Sequence, residues 1–347
     1  MPAGPATAVD DMTPSSPRHD KDSAMTAPTL EVHLTDADLT AALRADARRG
    51  LTDDPKWLPP KWFYDARGSE LFEQITELPE YYPTRTERAL LERVVGEIAR
   101  AAQAEVLVEL GAGSAAKTRL LLTALTAEGP LKTYVPQDVS AAALRATAAE
   151  VAREFPGLAV HGVVSDFTDT LHNLPRGGRR MIAFLGGTLG NLVPAERAEF
   201  LTAIHDVLEP GEHLLLGAGL VIDPAILVPA YDDAAGVTAE FNRNVLHVLN
   251  QRLAADFVPD NFRHIAVWDA ENEWIEMRLE ATEPMRVTVA DLDLVLDFAR
   301  GEQLRTEISA KFRLERLDTE LSAAGFTLDK AWTDPDSRFT LVLATRG

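Results

Sequence analysis

The sequence predicts an α/β protein: a mostly parallel sheet flanked by helices, closed by an antiparallel hairpin and interrupted by an α+β lobe. Three observations carry that prediction. Short β-rich runs alternate with amphipathic helical stretches from residue 106 to residue 222, the pattern of βαβ units. The alternation breaks over residues 224–311, where one long helical stretch is followed by several strand-like runs. It resumes after residue 312 as helix, strand, turn, strand.

The elements follow in order. Residues 1–28 are rich in Ala, Pro, Ser, Thr and Asp with few large apolar side chains. Such a stretch cannot offset the entropy of ordering, so a disordered tail is expected. Leu39, Leu43 and Ala47 fall at helical spacing before Gly50. A proline-rich stretch over 55–60 leads to Trp62, Phe63 and Tyr64; a second helical run through Leu71, Phe72, Ile75 and Leu78 breaks at Pro79. Thr84 or Thr86 is placed to cap the helix that carries Leu90, Leu91, Val94 and Ile98. Strands are expected over 106–110, 133–136, 159–164, 181–185 and 214–222, with helices over 117–125, 141–155 and 195–208. Within the interruption, a helix over 234–255 precedes strands over 264–268, 274–281 and 285–298, with a turn at 269–272 that suggests a hairpin. Residues 314–324 read as a helix ended by Gly325. Residues 326–332 and 339–344 read as strands joined at 334–337.

Composition bounds the function. The chain has 347 residues, 46% hydrophobic and 25% charged, enough for about two domains with real cores. Its net charge of −20 disfavours broad contact with nucleic acid or an anionic membrane. Cysteine is absent, which removes disulfides, thiolate metal sites and cysteine nucleophiles. The most apolar run, residues 214–222, ends at Asp223 and Pro224, short of the ~20 residues a bilayer needs. A cytoplasmic protein acting as a monomer is expected. The eight histidines show no metal-ligand spacing; His161, His213 and His247 read as structural, and no metal is expected.

Three features fall at the carboxyl ends of successive strands, where open α/β sheets bind ligands. Glu109, Leu110, Gly111 and Gly113 form a strand and glycine turn ahead of Lys117. Such a turn lets backbone approach a nucleotide-like ligand and aims helix N–H groups at it. The third glycine of the dinucleotide fingerprint is missing. Asp138 follows the second strand, where a carboxylate accepts from ribose hydroxyls. Asp166 and Phe167 follow the third, where they can read an adenine edge and face. Each Asp alone is as readily a helix cap or loop residue.

A long and unusual block lies upstream: Trp62, Tyr64, Asp65, Gly68, Ser69 and Phe72, then Glu80, Tyr81, Tyr82, Pro83, Thr84 and Arg85. It joins Glu109, Gly111 and Lys117; Phe184, Gly186, Gly190 and Asn191; Tyr231 and Gly236; Phe241, Asn242 and Asn244; and Thr306, Glu307, Ser309, Lys311 and Phe312. Together these resemble the histidine-specific methyltransferases of ergothioneine biosynthesis, over nearly everything from about residue 35 onward. The resemblance implies a class I methyltransferase fold, a Rossmann-like seven-stranded sheet with a terminal antiparallel hairpin. It implies a methyltransferase domain over 86–223 and 312–347, and a substrate-binding lobe over 29–85 and 224–311.

The implied reaction moves methyl groups from S-adenosylmethionine to the α-amine of L-histidine, ending at the trimethylated betaine hercynine. By resemblance, Gly111, Lys117, Asp138, Asp166 and Phe167 hold S-adenosylmethionine. Asn191 and Tyr231 hold the substrate carboxylate and orient its amine, and Tyr81, Glu307 and Ser309 receive the imidazole. Tyr64 and Met277 line the site, with Tyr64 and Asn191 closest to the chemistry. Gly187 departs from the small hydroxyl residue expected there. Plainer readings stand beside these: Tyr81 and Tyr82 as a packed pair, Tyr231 at a domain interface, Glu307 on a solvated face, and Met277 as core beside Ile275 and Leu279. The rival functions are the same fold acting on another amine, an S-adenosylmethionine-binding module without catalysis, and a nicotinamide dehydrogenase.

Overall fold

The computed structural model describes residues 27–113, 117–167 and 171–347, so the expected tail lies outside it except for its last two residues. In chain order the strands are β1 Thr29–Val32, β2 Val106–Leu110, β3 Thr133–Asp138, β4 Ala159–Val164, β5 Arg180–Phe184, β6 His213–Gly219, β7 Phe262–Asp269, β8 Trp274–Ala281, β9 Met285–Val289, β10 Leu294–Phe298, β11 Gln303–Ala310, β12 Phe326–Thr333 and β13 Phe339–Arg346. The helices are α1 Asp36–Leu51, α2 Ala66–Glu77, α3 Tyr82–Ala102, α4 Thr118–Glu128, α5 Ala141–Glu154, α6 Pro194–Val207, α7 Pro224–Leu227, α8 Val237–Leu253 and α9 Leu314–Ala323.

The main sheet runs β1-β4-β3-β2-β5-β6-β13-β12. Strands β1 to β6 pair in parallel; β13 runs antiparallel to both β6 and β12. Seven strands are the number expected, and eight are present among the described residues. The extra strand, β1, pairs with β4, so Thr29–Val32 belongs to the main sheet and not to the lobe the sequence assigned it to. Leu30 seals that edge against Leu144 and Val164. Strand alternation divides the main core. Val106, Val108 and Leu110 face α6 and α9, whereas Leu107, Met181 and Leu215 face α3, α4 and α5.

A third core gathers α1, α2 and α8 over β7 to β10 and forms the lobe. β11-β8-β7 make an antiparallel sheet and β9-β10 a hairpin. The strand expected over 285–298 is two strands, because residues 290–292 form a 3-10 turn and Asp293 takes φ +48°. No cap from Thr84 or Thr86 starts α3; it begins at Tyr82 with Pro83 in its first turn, where the missing N–H costs nothing.

Strand β11 was not anticipated, and it joins the two units. Leu304 lies in the lobe core while Ile308 and Ala310 lie in the core of the main sheet. Its pairing with β8 slips between Arg305 and Glu307, leaving Thr306 as an extra residue. An inserted residue reverses which side chains face which way. Leu304, Glu307 and Ser309 therefore share a face opposite Leu279, Met277 and Ile275. Among the described residues no helix is long and apolar enough to cross a membrane.

Candidate functional site

The glycine turn after β2 carries the first half of the site. Gly111 and Gly113 take φ +71° and +48°, which glycine adopts without strain. A Cβ at Gly113 would meet nothing within 4 Å, and one at Gly111 would meet only Phe167 Cε1 at 4.0 Å. The turn is thus an open backbone cradle beside an aromatic ring. Asp138 closes one side: its Oδ2 accepts from Gly113 N at 3.1 Å and its Oδ1 from Ser140 N at 3.0 Å. Asp166 closes the other, with Lys61 Nζ of the lobe 3.5 Å away. Phe167 packs edge-on against Phe184 and Phe200, 5.2 and 5.7 Å between centroids.

Lys117 turns toward a carboxylate. It bonds Glu87 of α3, a residue 1% exposed whose other oxygen accepts from Gly186 N at 2.7 Å. That contact ties α3, the glycine turn and the loop after β5 together. Glu109 is buried at the end of β2. It accepts from Tyr134 Oη at 2.6 Å and from Thr118 Oγ1, and burial pushes its carboxyl up to about 7.

The second half of the site lies where the loop after β5 meets β11. Gly190 has no room for a side chain: a Cβ there would sit 2.6 Å from Ala310 O. This close approach lets Asn191 Nδ2 donate to Glu307 Oε1 at 2.9 Å and to Ile308 O at 2.7 Å. Burial pushes the Glu307 carboxyl up to about 7, against the Asn191 hydrogen bond and the Lys311 charge that pull it down. Tyr231 Oη and Ser309 Oγ are 2.8 Å apart, and Lys311 Nζ donates to both at 2.8 and 2.7 Å. Burial lowers the Lys311 pKa, while Tyr82 and Glu307 raise it.

Aromatic rings line the opposite wall. Tyr81 meets Tyr231 at 6.3 Å, and Tyr64 packs against Phe72 and Phe241 at 5.5 and 5.4 Å. Tyr64 leaves 47% of its surface open and feels the charge of Glu307 and Tyr231. Desolvation, then neighbouring negative charge, holds the phenols of Tyr64, Tyr81 and Tyr231 above their ordinary pKa. Met277 is buried in the lobe core, directly across the β8–β11 ladder from Glu307. Gly187 takes φ +73°, which favours glycine over the hydroxyl residue expected there.

Each predicted site residue therefore lies in one of two adjoining clusters at the carboxyl end of the main sheet, and Asn191 stands on the loop between them. The cradle suits a nucleoside that offers ribose hydroxyls to Asp138 and an adenine edge and face to Asp166 and Phe167. Among the described residues, no group of three His, Asp or Glu side chains could hold a metal ion.

Comparison with known proteins decides the family. The pattern described as "Histidine-specific methyltransferase, SAM-dependent" matches residues 43–346. The chain belongs to the histidine-specific, S-adenosylmethionine-dependent methyltransferases. It is 54% identical to the histidine N-alpha-methyltransferase of Mycolicibacterium smegmatis over 88% of this chain and 95% of that protein. The corresponding enzyme of Mycobacterium tuberculosis is 53% identical over the same shares. Ergothioneine biosynthesis protein 1 of Neurospora crassa is 32% identical over 81% of this chain and 32% of that longer protein.

The methyl donor of this family is S-adenosylmethionine. Three groups in this methyltransferase escaped the sequence reading as site components. Lys311 and Glu87 are two of them. The third is a buried chain in which Thr306 Oγ1 donates to Asn242 Oδ1 at 2.6 Å and Asn242 Nδ2 meets His264 Nδ1 at 2.8 Å. His264 Nε2 then reaches Tyr231 O at 2.8 Å, fixing the backbone that carries the Tyr231 phenol. The i, i+2, i+4 spacing of Glu307, Ser309 and Lys311 is the signal that could have marked Lys311.

Proposed function

We propose that this chain methylates the α-nitrogen of L-histidine three times to give hercynine, a step of ergothioneine biosynthesis. The observation that carries this reading is the juxtaposition of Asn191 with Glu307 and of Tyr231 with Ser309 on one wall, beside the strand-end cradle. Gly111, Lys117, Asp138, Asp166 and Phe167 would hold S-adenosylmethionine, which supplies a methyl group on a sulfonium that is a ready leaving group. Tyr81, Glu307 and Ser309 receive the imidazole: neutral imidazole offers one donor and one acceptor, and a carboxylate with hydroxyls satisfies both. A site built to bond a side chain rejects analogues lacking those groups.

Asn191 and Tyr231 hold the carboxylate, and Asn191 with Tyr64 orients the amine; Met277 packs beneath. The α-amine has a reference pKa near ~8 and attacks when neutral. The phenols around it are held protonated, so they position the amine and its proton passes to water. Carboxylate and imidazole anchors do not use the amine N–H groups, so they serve all three transfers equally. Catalysis is then mostly positioning. The proposed working unit is a cytoplasmic monomer bound to neither nucleic acid nor membrane, with residues 29–85 and 224–311 as its substrate-binding lobe.

The test offers purified protein S-adenosylmethionine and an equimolar mixture of the twenty amino acids, read by mass spectrometry. Histidine alone should gain three methyl masses, placed on the α-nitrogen by fragmentation. Methylation of a different amino acid would overturn the imidazole assignments. No methylation by a sample that binds S-adenosylmethionine would overturn the reading itself.

A further inference from the structure

Lys311 is 4% exposed, and no carboxylate forms an ion pair with it among the described residues. A buried ammonium that feels Glu307 only from beyond ion-pair distance is costly, so its retention calls for a compensating use. Its surroundings are specific. Nζ lies 2.8 Å from Tyr231 Oη, 2.7 Å from Ser309 Oγ and 4.9 Å from the Tyr231 ring centroid. The stem packs where a Cβ at Gly219 would come within 3.3 Å of Cδ, and the Lys311 backbone N donates to Glu273 O at 2.8 Å. The head is thus anchored from both ends.

Counting hydrogens shows what the triangle can do. An ammonium only donates, so both hydroxyls accept from Lys311. Tyr231 and Ser309 are 2.8 Å apart, so one of their two hydroxyl hydrogens is spent between them. A single hydroxyl hydrogen remains, and it points away from the triangle. The assembly is a one-way donor over a buried positive charge, which suits an anionic acceptor and repels a cationic one.

We propose that Lys311 is a positioning residue: it fixes Tyr231 and Ser309 so that their one remaining hydroxyl hydrogen is offered to the substrate, and it supplies the positive charge that the substrate carboxylate completes. The inference rests on the proposed histidine methylation and adds to it the group that selects an amino acid over the corresponding uncharged amide. Bound carboxylate gives the Lys311 charge an anionic partner closer than Glu307.

Lys311→Met keeps the length of the side chain and removes its charge and donors. The readouts are kcat and KM for L-histidine and for L-histidinamide, with calorimetric affinity for S-adenosylmethionine and the thermal midpoint alongside. The expected result is a KM for histidine raised ~10- to 100-fold, with kcat changed much less. The preference for histidine over histidinamide should collapse by a similar factor. Cofactor affinity should be unchanged and the thermal midpoint equal or higher, because an unpaired buried charge is gone. Lys311→Gln, which donates without charge, should recover part of the histidine KM and little of the discrimination. An unchanged histidine-to-histidinamide ratio in either folded variant would overturn the proposal, as would a lowered midpoint with both substrates impaired equally. A wild-type protein that binds S-adenosylmethionine but methylates no histidine would sink the underlying reading instead, before any variant is compared.

Discussion

At the scale of single residues, Glu307 has the most to reveal. Its carboxyl is pushed from 4.5 up to about 7 by burial, so the folded protein holds a proton there that the unfolded chain has released. Folding takes up that proton between about pH 4.5 and pH 7. The contribution of Glu307 to stability is therefore complete below pH 4.5 and is lost as pH rises through 7. Glu307→Gln cannot titrate, so relative to wild type it should gain stability across that window, on the order of 3 kcal/mol. Thermal melts of both proteins from pH 4.5 to 8 check this; Glu109, pushed up to about 7 as well, titrates in both and cancels in the difference. Parallel curves would show that the Glu307 carboxylate is not strained by its site. Asn191 gives a kinetic prediction. Asn191→Ala removes the donor that reaches Glu307 and the Ile308 carbonyl, and kcat/KM for histidine should fall ~100-fold or more. Affinity for S-adenosylmethionine, measured by calorimetry, should hold.

At the scale of elements, the site depends on one irregular strand. Thr306 is the extra residue in β11, and its hydroxyl reaches Asn242 Oδ1 at 2.6 Å and Met277 O at 3.0 Å. Thr306→Val leaves those acceptors short of a donor and should cost ~1–3 kcal/mol. Thermal unfolding of the variant against wild type checks this. The same irregularity explains what was hard to read in the sequence. The parallel strands were legible because each is an apolar run buried on both faces, as in residues 106–110 and 181–184. β11 was not, because the bulge breaks the period-two pattern and sets Thr306, Glu307 and Ser309 in a stretch that looks merely polar. β1 was missed for another reason. At the sheet edge it is four residues long and mostly exposed, with little apolar signal beyond Leu30. The candidate site residues were legible through family motifs, since on a physical reading alone Tyr81 and Tyr82 are a packed pair and Tyr231 a domain-interface residue. Lys311 fell in the same motif, but only the fold shows its ammonium meeting two hydroxyls.

At the scale of the whole molecule, β11 couples two units that sequence rhythm alone would separate. Leu304 is fully buried in the lobe core, and Ile308 and Phe312 sit in the core of the main sheet. The backbone continues the link: Leu58 N donates to Arg305 O at 2.8 Å, and Phe312 N to Gly219 O at 2.9 Å. The lobe therefore cannot release β11 without opening the sheet beside β6. Single-domain cooperativity is expected despite the length of the chain, and scanning calorimetry should show one thermal transition with matching calorimetric and van't Hoff enthalpies. Each ligand should raise the whole transition, by ~2.7 kcal/mol at a hundredfold excess over its Kd. Leu304→Ala tests the coupling from the lobe side. It leaves a cavity in the lobe core worth ~2–5 kcal/mol, and if β11 binds the units into one, the single transition moves down intact. A lobe transition that splits away while the sheet melts at its original midpoint would mean that the units fold separately, and that the contact of Asn191 with Glu307 is made afresh each time the lobe closes.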